Sequence, residues 1–297
     1  MKILILGGSG MLGHKLWQTF ASRFDTYVTL RQGFYSYRRY NLFDPAHTLE
    51  SVSVENFDSV VRAIDKLQPN AVVNCIGVVK QAEKARDPLT SISINALLPH
   101  RLAQLCQSRR FRLIQISTDC VFSGRKGNYT EDDLPDAEDL YGKTKFLGEL
   151  NYDSCLTIRT SIVGRELGTS YGLGEWFLSQ EGKTVNGYSK AIFSGLTTNS
   201  LAEVIDMIIS KHRDMQGVWH IASEPISKFD LLSLVKRIYH LNVQIERDET
   251  VVCNRSLNAE HFHQATGFVP PPWNEMIEQM YLDPTPYMEL RRLYAKR

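Results

Sequence analysis

The chain has few cysteines, no surplus of either charge and no long apolar run, and each shortage removes a class of protein. Its 5 cysteines (Cys75, Cys106, Cys120, Cys155 and Cys253) are odd in number, scattered and never in a CxxC pair. A disulfide framework or a structural zinc site is thereby set aside, and reduced thiols in a cytoplasmic protein are the expectation. His261 and His263 have no further ligands near them in sequence, so no metal is assigned. With 34 basic and 33 acidic residues the net charge is +1, which offers no basic field for nucleic acid. The longest apolar runs have the length of strands, so no membrane span is expected. The opening Met1-Lys2-Ile3-Leu4-Ile5-Leu6-Gly7 reads as a strand and lacks the cleavage site of a signal peptide. What is present is 297 residues of ordinary globular composition, 43% hydrophobic. Such a chain buries roughly three-quarters of its unfolded surface, as one large domain or two closely joined ones.

The first half alternates strand and helix. Lys2–Leu6 is a leucine and isoleucine strand, and Met11, Leu12, Leu16 and Phe20 then recur at helical spacing. Strands are expected at Thr26–Leu30, Ala71–Ile76, Phe111–Ile116 and Ser154–Ile158, with helices at Phe57–Leu67, Ile94–Cys106 and Leu140–Leu150. Arg31–His47 has no clear period and reads as loop. The unbroken apolar strands suit burial on both faces. The fold class is therefore α/β, a Rossmann-like doubly wound parallel sheet with a smaller interleaved C-terminal region for substrate. Residues 1–160 are assigned to the dinucleotide-binding domain, with 196–216 returning to it. Residues 161–195 and 217–297 are assigned to the substrate-binding region.

Between the first strand and the first helix lies Gly7-Gly8-Ser9-Gly10-Met11-Leu12-Gly13. Glycine allows the tight turn and close approach of backbone to a pyrophosphate. The helix N-terminus offers N–H groups and a positive dipole end to the same anion. The plain alternative is a glycine turn with no ligand. The second strand ends in Arg31 instead of the carboxylate that would bind the ribose hydroxyls of NAD. A cation there accommodates the 2′-phosphate of NADP, so NADPH is placed ahead of NADH. Ser9, Arg38 and Arg39 are further contacts within reach of that end of the cofactor.

Tyr141 and Lys145 stand i and i+4 in Tyr141-Gly142-Lys143-Thr144-Lys145, on one helix face. An ammonium beside a phenol lowers its pKa and makes it a usable general acid or base. The same spacing occurs on many solvated helices. Upstream, a buried strand ends in Ser117-Thr118-Asp119-Cys120, at the carboxyl edge where open parallel sheets bind ligands. Thr118 is suited to hold a carbonyl oxygen, and a strand-end cap is the plain alternative for Ser117 to Asp119.

These motifs together resemble an extended short-chain dehydrogenase/reductase of the dTDP-4-dehydrorhamnose reductase family. The resemblance runs through Gly7–Gly13, Val73-Asn74-Cys75-Ile76-Gly77, Ser117–Gly124, Tyr129-Thr130-Glu131-Asp132, Pro135, Tyr141–Lys145, Gly148-Glu149 and Ile158-Arg159-Thr160-Ser161. It implies reduction of a nucleotide-linked 4-keto-6-deoxy sugar by a nicotinamide hydride, in deoxysugar or surface-polysaccharide synthesis. It implies that Tyr141 protonates the developing alkoxide, Lys145 lowers its pKa and binds ribose, and Thr118 orients the keto oxygen. Asn74, Cys75, Ile76 and Gly77 would line the ribose and nicotinamide side, with Asn95 near the lysine. Asp119, Cys120 and Arg255 would meet the substrate, Arg255 by pairing with a diphosphate.

The chain departs from the pattern at Cys120, where an aromatic residue is common, and at Lys80 and Gln81 after Val78-Val79. Two other readings stand beside the reductase. One is an epimerase or rearranging reductase of the same superfamily. The other is an NADP-binding regulatory subunit without turnover, for which the Thr118, Tyr141 and Lys145 set has no chemical use. The helices Asn95–Cys106 and Leu140–Leu150 could build a homodimer interface. The basic C-terminal run Arg291–Arg297 reads as a solvated helix end.

Overall fold

A computed structural model describes residues 1–81, 83–287 and Leu290. The Arg291–Arg297 run lies outside the described residues. The elements, in chain order, are β1 (Lys2–Leu6), α1 (Met11–Phe20), β2 (Asp25–Thr29), β3 (Thr48–Leu49), α2 (Phe57–Leu67), β4 (Ala71–Asn74), α3 (Pro88–Ser91), α4 (Leu98–Arg109) and β5 (Arg112–Ile116). There follow α5 (Leu140–Leu147), β6 (Cys155–Arg159), β7 (Ile162–Val163), α6 (Leu173–Leu178), β8 (Thr184–Tyr188), β9 (Ala191–Phe193), β10 (Leu196–Thr197) and α7 (Thr198–Lys211). The chain continues through β11 (Gly217–His220), β12 (Ile226–Ser227), α8 (Lys228–Ile238), β13 (Gln244–Asp248), β14 (Cys253–Asn254), α9 (Glu260–Thr266) and α10 (Trp273–Tyr281).

Seven strands form one sheet in the order β11-β6-β5-β4-β1-β2-β3, and every neighbouring pair is parallel. The order reverses between β1 and β4, which opens a crevice at the carboxyl ends of these strands. Alternation along β1 explains the layering. Ile3 and Ile5 join one core with Leu12 and Leu16 of α1 and Leu201, Val204, Ile205 and Ile208 of α7. Leu4 and Leu6 face the other way, onto Val60 and Ile64 of α2 and Leu98 and Leu102 of α4. Helix α7 thus packs on the large sheet beside α1.

The strand Gly217–His220 corrects the boundary drawn at residue 217. It pairs with Leu156–Arg159 as the edge of the large sheet, so it belongs with the nucleotide-binding layer. Three smaller sheets occupy the second half: β10 with β7, β9 between β12 and β14, and β13 with β8. Among the described residues no helix is long and apolar enough to cross a membrane.

Two expectations change in detail. Arg31–His47, read as loop, winds through short 3₁₀ turns at Phe34–Tyr40 and Pro45–His47, the second capped by Asp44 accepting from Ala46 N at 2.9 Å. The helix expected over Ile94–Cys106 starts earlier and is not uniform: α3 leads into a π-helical turn, Ile92–Leu97, and then α4. That wide turn places the Asn95 side chain across the loop after β4. Its Oδ1 accepts from Val78 N at 2.9 Å, and its Nδ2 donates to Val78 O at 3.2 Å.

Candidate functional site

The glycine turn connects β1 to α1 at the crevice. Gly7 has φ +84°, a left-handed conformation that only glycine adopts freely. A Cβ on Gly13 would stand 2.1 Å from the Gly7 carbonyl oxygen, so the helix can fold back on its own turn only with glycine there. Gly7 N donates to Thr29 Oγ1 at 3.1 Å, and Gly8 N to Thr29 O at 3.0 Å, which ties the turn to β2. Ser9 and Gly10 cross the tip, and the first-turn N–H groups from Met11 to Gly13 lack intrahelical acceptors by geometry. The turn is therefore a cradle that bulk would fill and an anion would complete, which fits the pyrophosphate of a dinucleotide.

A cavity of about 640 Å³ opens beyond the end of β2, lined by Gln32, Tyr35, Ser36, Arg38 and Arg39. Arg39 lies over the Tyr40 ring at 5.1 Å. Arg31, the residue singled out from sequence, is exposed at the head of the same segment, while Arg38 and Arg39 line the cavity. Two cations in one cleft at this strand end suit a second phosphate.

The loop after β4 joins this turn to the Tyr–Lys helix. Asn74 is wholly buried and spends its amide inside the fold: Nδ2 donates to Gln115 Oε1 at 2.7 Å, and Oδ1 accepts from Ile76 N at 3.1 Å. It shapes the loop and does not project from it. Ile76 packs against Gly7, since a Cβ there would lie 2.9 Å from Ile76 Cγ1. Cys75 is half-buried, and desolvation pushes its thiol up to about 12 against the pull of Lys145. Gly77 is exposed, and a Cβ on it would stand 4.0 Å from Lys145 Nζ. Glycine turn, loop and lysine thus form a continuous wall.

Helix α5 carries Tyr141 and Lys145. Asp139 caps it, accepting from Gly142 N at 2.8 Å, and its other oxygen takes the Lys80 ammonium at 2.6 Å. Lys80, the residue at which the chain departs from the family pattern, thereby pins the loop after β4 to the start of α5. Gly142 is a tight contact, for a Cβ there would meet the Cys120 carbonyl oxygen at 2.2 Å and Ala137 Cβ at 2.5 Å. The helix and the Thr118-Asp119-Cys120 segment are pressed together at that point.

Thr118 caps a short 3₁₀ turn, its Oγ1 accepting from Cys120 N at 3.1 Å and donating to Asp119 Oδ1 at 3.2 Å. The Tyr141 phenol faces the Thr118 hydroxyl. Burial, together with the nearby Cys120, Asp119 and Asp139, pushes that phenol well above its ordinary value. From sequence, Lys145 is expected to bring the phenol toward neutrality; the groups that act on it here are Cys120, Thr118, Asp119 and Asp139, and burial keeps its proton in place. Lys145 is buried and donates to Ile116 O at 2.7 Å. Burial lowers its ammonium to about 8, against the opposing pull chiefly of Glu149. Asp119 is raised by burial, with Arg255 and Lys228 pulling the other way. Burial pushes the Cys120 thiol up to about 12.

Arg255 arrives beside Asp119 from the second half of the chain. Its Nε donates to Phe122 O at 2.8 Å and its Nη2 to Ser123 O at 3.3 Å. Sequence reasoning did not reach Lys228, which bears on Asp119 from α8, or the partners of Glu149, although Glu149 stands four residues beyond Lys145. The i+4 spacing was the available signal.

A Rossmann protein is defined by the sheet order and the glycine cradle, and the hydroxyl–tyrosine–lysine group at the carboxyl edge narrows the class to those acting beside a dinucleotide. The chain belongs to the family described as RmlD substrate binding domain, which matches residues 1–284. It is similar to dTDP-4-dehydrorhamnose reductase of Aggregatibacter actinomycetemcomitans, 22% identical over 304 residues covering 94% of this chain and 98% of that one. It is also similar to methionine adenosyltransferase 2 subunit beta of Mus musculus, 30% identical over 148 residues, but this covers 50% of the chain and 41% of that protein. Among solved structures it resembles dTDP-4-dehydrorhamnose reductase from Bacillus anthracis str. Ames in complex with NADP, with TM-score 0.78, 20% identity, and coverage of 95% of this chain and 99% of that one.

Proposed function

We propose that this protein is an NADPH-dependent reductase of a nucleotide-linked 4-keto-6-deoxy sugar, working in deoxysugar or surface-polysaccharide synthesis in the cytoplasm. The observation that carries the reading is the convergence of Thr118, Tyr141 and Lys145 on the crevice that begins at the glycine turn, within a chain related along nearly its whole length to a named reductase.

A bound nicotinamide would supply the hydride. The backbone from Gly7 to Gly13 would hold the pyrophosphate, Arg38 and Arg39 the 2′-phosphate, and Lys145 the nicotinamide ribose. Tyr141 then has the property that reduction asks for. Its desolvated phenol is protonated at neutral pH, so it can give a proton to an alkoxide as charge develops on that oxygen. Thr118 orients the keto oxygen by redirecting the hydroxyl proton that now rests on Asp119. Lys145, charged below about 8, offsets the phenolate left behind. Arg255, fixed by two carbonyls, presents its remaining donor surface toward a diphosphate. The substrate region comprises 161–195 and the residues beyond β11.

The relationship to the methionine adenosyltransferase subunit over half the chain favours one second reading, an NADP-binding subunit without turnover. Incubation with NADPH and a panel of nucleotide-linked 4-keto-6-deoxy sugars separates the two. Loss of nicotinamide absorbance with a product two hydrogens heavier is the expected result. NADPH binding by titration with no consumption across the panel would sink the reductase.

A further inference from the structure

Behind Lys145 lies a buried polar chain that the proposed chemistry does not use. The Glu149 carboxylate takes both arms of Arg159, with Nε–Oε1 at 2.8 Å and Nη2–Oε2 at 2.7 Å, and each side chain is 5% exposed. Ser117, the neighbour of Thr118, donates its hydroxyl to the same Oε1 at 2.7 Å. Arg159 continues through Nη1 to His220 Nε2 at 3.2 Å and lies 5.2 Å from the Phe122 ring centroid. His220 Nδ1 stands 3.1 Å from Tyr129 O and 3.2 Å from Asn258 O. Because Nε2 must accept from a guanidinium, the imidazole is neutral with its proton on Nδ1. The chain therefore spans the turn after α5, the end of β5, β6 and β11, and reaches the segment holding Asn258.

Such a group is costly to bury and does little for stability relative to an apolar core. Its members touch no reacting atom. Yet Glu149 meets the two features the chemistry depends on. It fixes the strand end between Ile116, whose carbonyl holds the Lys145 ammonium, and Thr118, which faces Tyr141. It is also the leading charge that favours the Lys145 ammonium.

We propose that Glu149 is a positioning residue for Lys145 and Thr118, held in place by the Arg159–His220 pair, so that the sheet edge is coupled to the charge of the lysine. This rests on the reductase reading for its role in turnover, but not for its physical content. The groups bearing on the Lys145 ammonium are Glu149 from the turn just beyond α5, Cys75 and Gly77 from the loop after β4, and the Ile116 carbonyl from β5. Cys75 holds its proton at neutral pH, since burial pushes it up to about 12, so Glu149 is the full negative charge of the set.

The test is an NMR titration of the lysine side-chain resonances of the full chain, with Lys145 assigned from a Lys145→Arg sample. Glu149→Gln keeps the shape and one acceptor but removes the charge. The expected result is that the Lys145 midpoint falls by about one pH unit, a tenfold loss of proton affinity, and that the alkaline limb of turnover moves down with it. A merely structural role would lower the melting temperature and leave the midpoint in place, and that outcome overturns the proposal. Should Glu149→Gln fail to fold, Ser117→Ala and Arg159→Lys loosen Glu149 without removing its charge. A lowered Lys145 midpoint in either supports the proposal, and unchanged midpoints in both overturn it. Absence of turnover in the wild-type chain would defeat the reductase reading alone, because the titration is read without substrate.

Discussion

At the residue scale the decisive group is Tyr141. Its half-buried phenol faces Thr118 and keeps its proton, the state the proposed reduction needs in its acid. Tyr141→Phe should lower turnover by about 100-fold or more while leaving NADPH affinity close to wild type, on the scale of a lost general acid. Steady-state rates with a fluorescence titration of NADPH check this, and near-normal turnover would remove Tyr141 from the chemistry. Lys145 should set the upper pH limit of the proposed turnover, for its ammonium is lost as pH rises through about 8. The cofactor preference rests on cations at the end of β2. The Arg38→Ala, Arg39→Ala double variant should weaken NADPH by about tenfold, the worth of one or two charge-assisted contacts, and NADH far less. Arg31→Ala, by contrast, should show a smaller version of the same bias, because Arg31 lies outside the cavity lining. Equal losses for both cofactors would show that these arginines do not read the 2′-phosphate. The tyrosine and lysine were legible because their relation is local, four residues on one helix. Glu149, Arg159 and His220 were not, because Arg159 and His220 meet across 61 residues of chain and are joined only by strand pairing.

At the scale of elements, hydrophobic periodicity located the strands and helices of the first half to within a residue or two at most ends. It missed what side chains and pairing decide. Nothing local distinguishes the π-helical turn at Ile92–Leu97 from ordinary helix; it is stabilised by Asn95 reaching a loop seventeen residues earlier. Gly217–His220 looks like any short strand, and only its pairing with β6 assigns it to the large sheet. Helix α5, which carries Tyr141 and Lys145, offers the sharpest test at this scale. Gly142→Ala would drive a methyl into the Cys120 carbonyl, an atom of backbone that cannot swing aside. The helix must then back away from the Thr118 segment. The expected outcome is a lower melting temperature together with at least a tenfold loss of turnover, since displacements near one ångström cost that much in a positioned site. Crystallography or turnover showing an undisturbed helix would mean that the contact is softer than the backbone geometry requires.

At the scale of the whole molecule, two buried histidines tie distant parts of the chain together, and both are held neutral. His14 sits on α1 just behind the glycine turn, with Nδ1 2.8 Å from Gly10 O and Nε2 2.8 Å from Tyr287 Oη. The segment bearing Tyr287 is fastened to the same helix by the Lys15–Asp283 ion pair and by Gln18 donating to Thr285 Oγ1 at 2.7 Å. His220 closes the other end of the sheet against Arg159. Burial lowers each imidazole to about 4, helped at His14 by Lys15 and at His220 by Arg159. In the unfolded chain both would titrate near 6.5. Between these values the unfolded state binds more protons than the folded one, so stability falls as pH drops from about 6.5 toward 4. Each histidine contributes up to ~3 kcal/mol to that loss. Asp283 acts lower down: although burial alone would raise it, hydrogen bonds from Lys15, Thr285 and Asn199 hold its carboxyl down to about 2. Its contribution is intact above about 4 and disappears as pH falls toward 2. Urea unfolding across this range should therefore show a decline that begins below pH 6.5, well above the carboxylate range. His14→Gln should flatten that first slope even where it lowers stability at neutral pH, because glutamine does not titrate in either state. A wild-type profile that stays level from pH 6.5 to 4 would show that the two imidazoles are already accessible to protons in the folded protein, and that the strap over α1 is looser than its hydrogen bonds indicate.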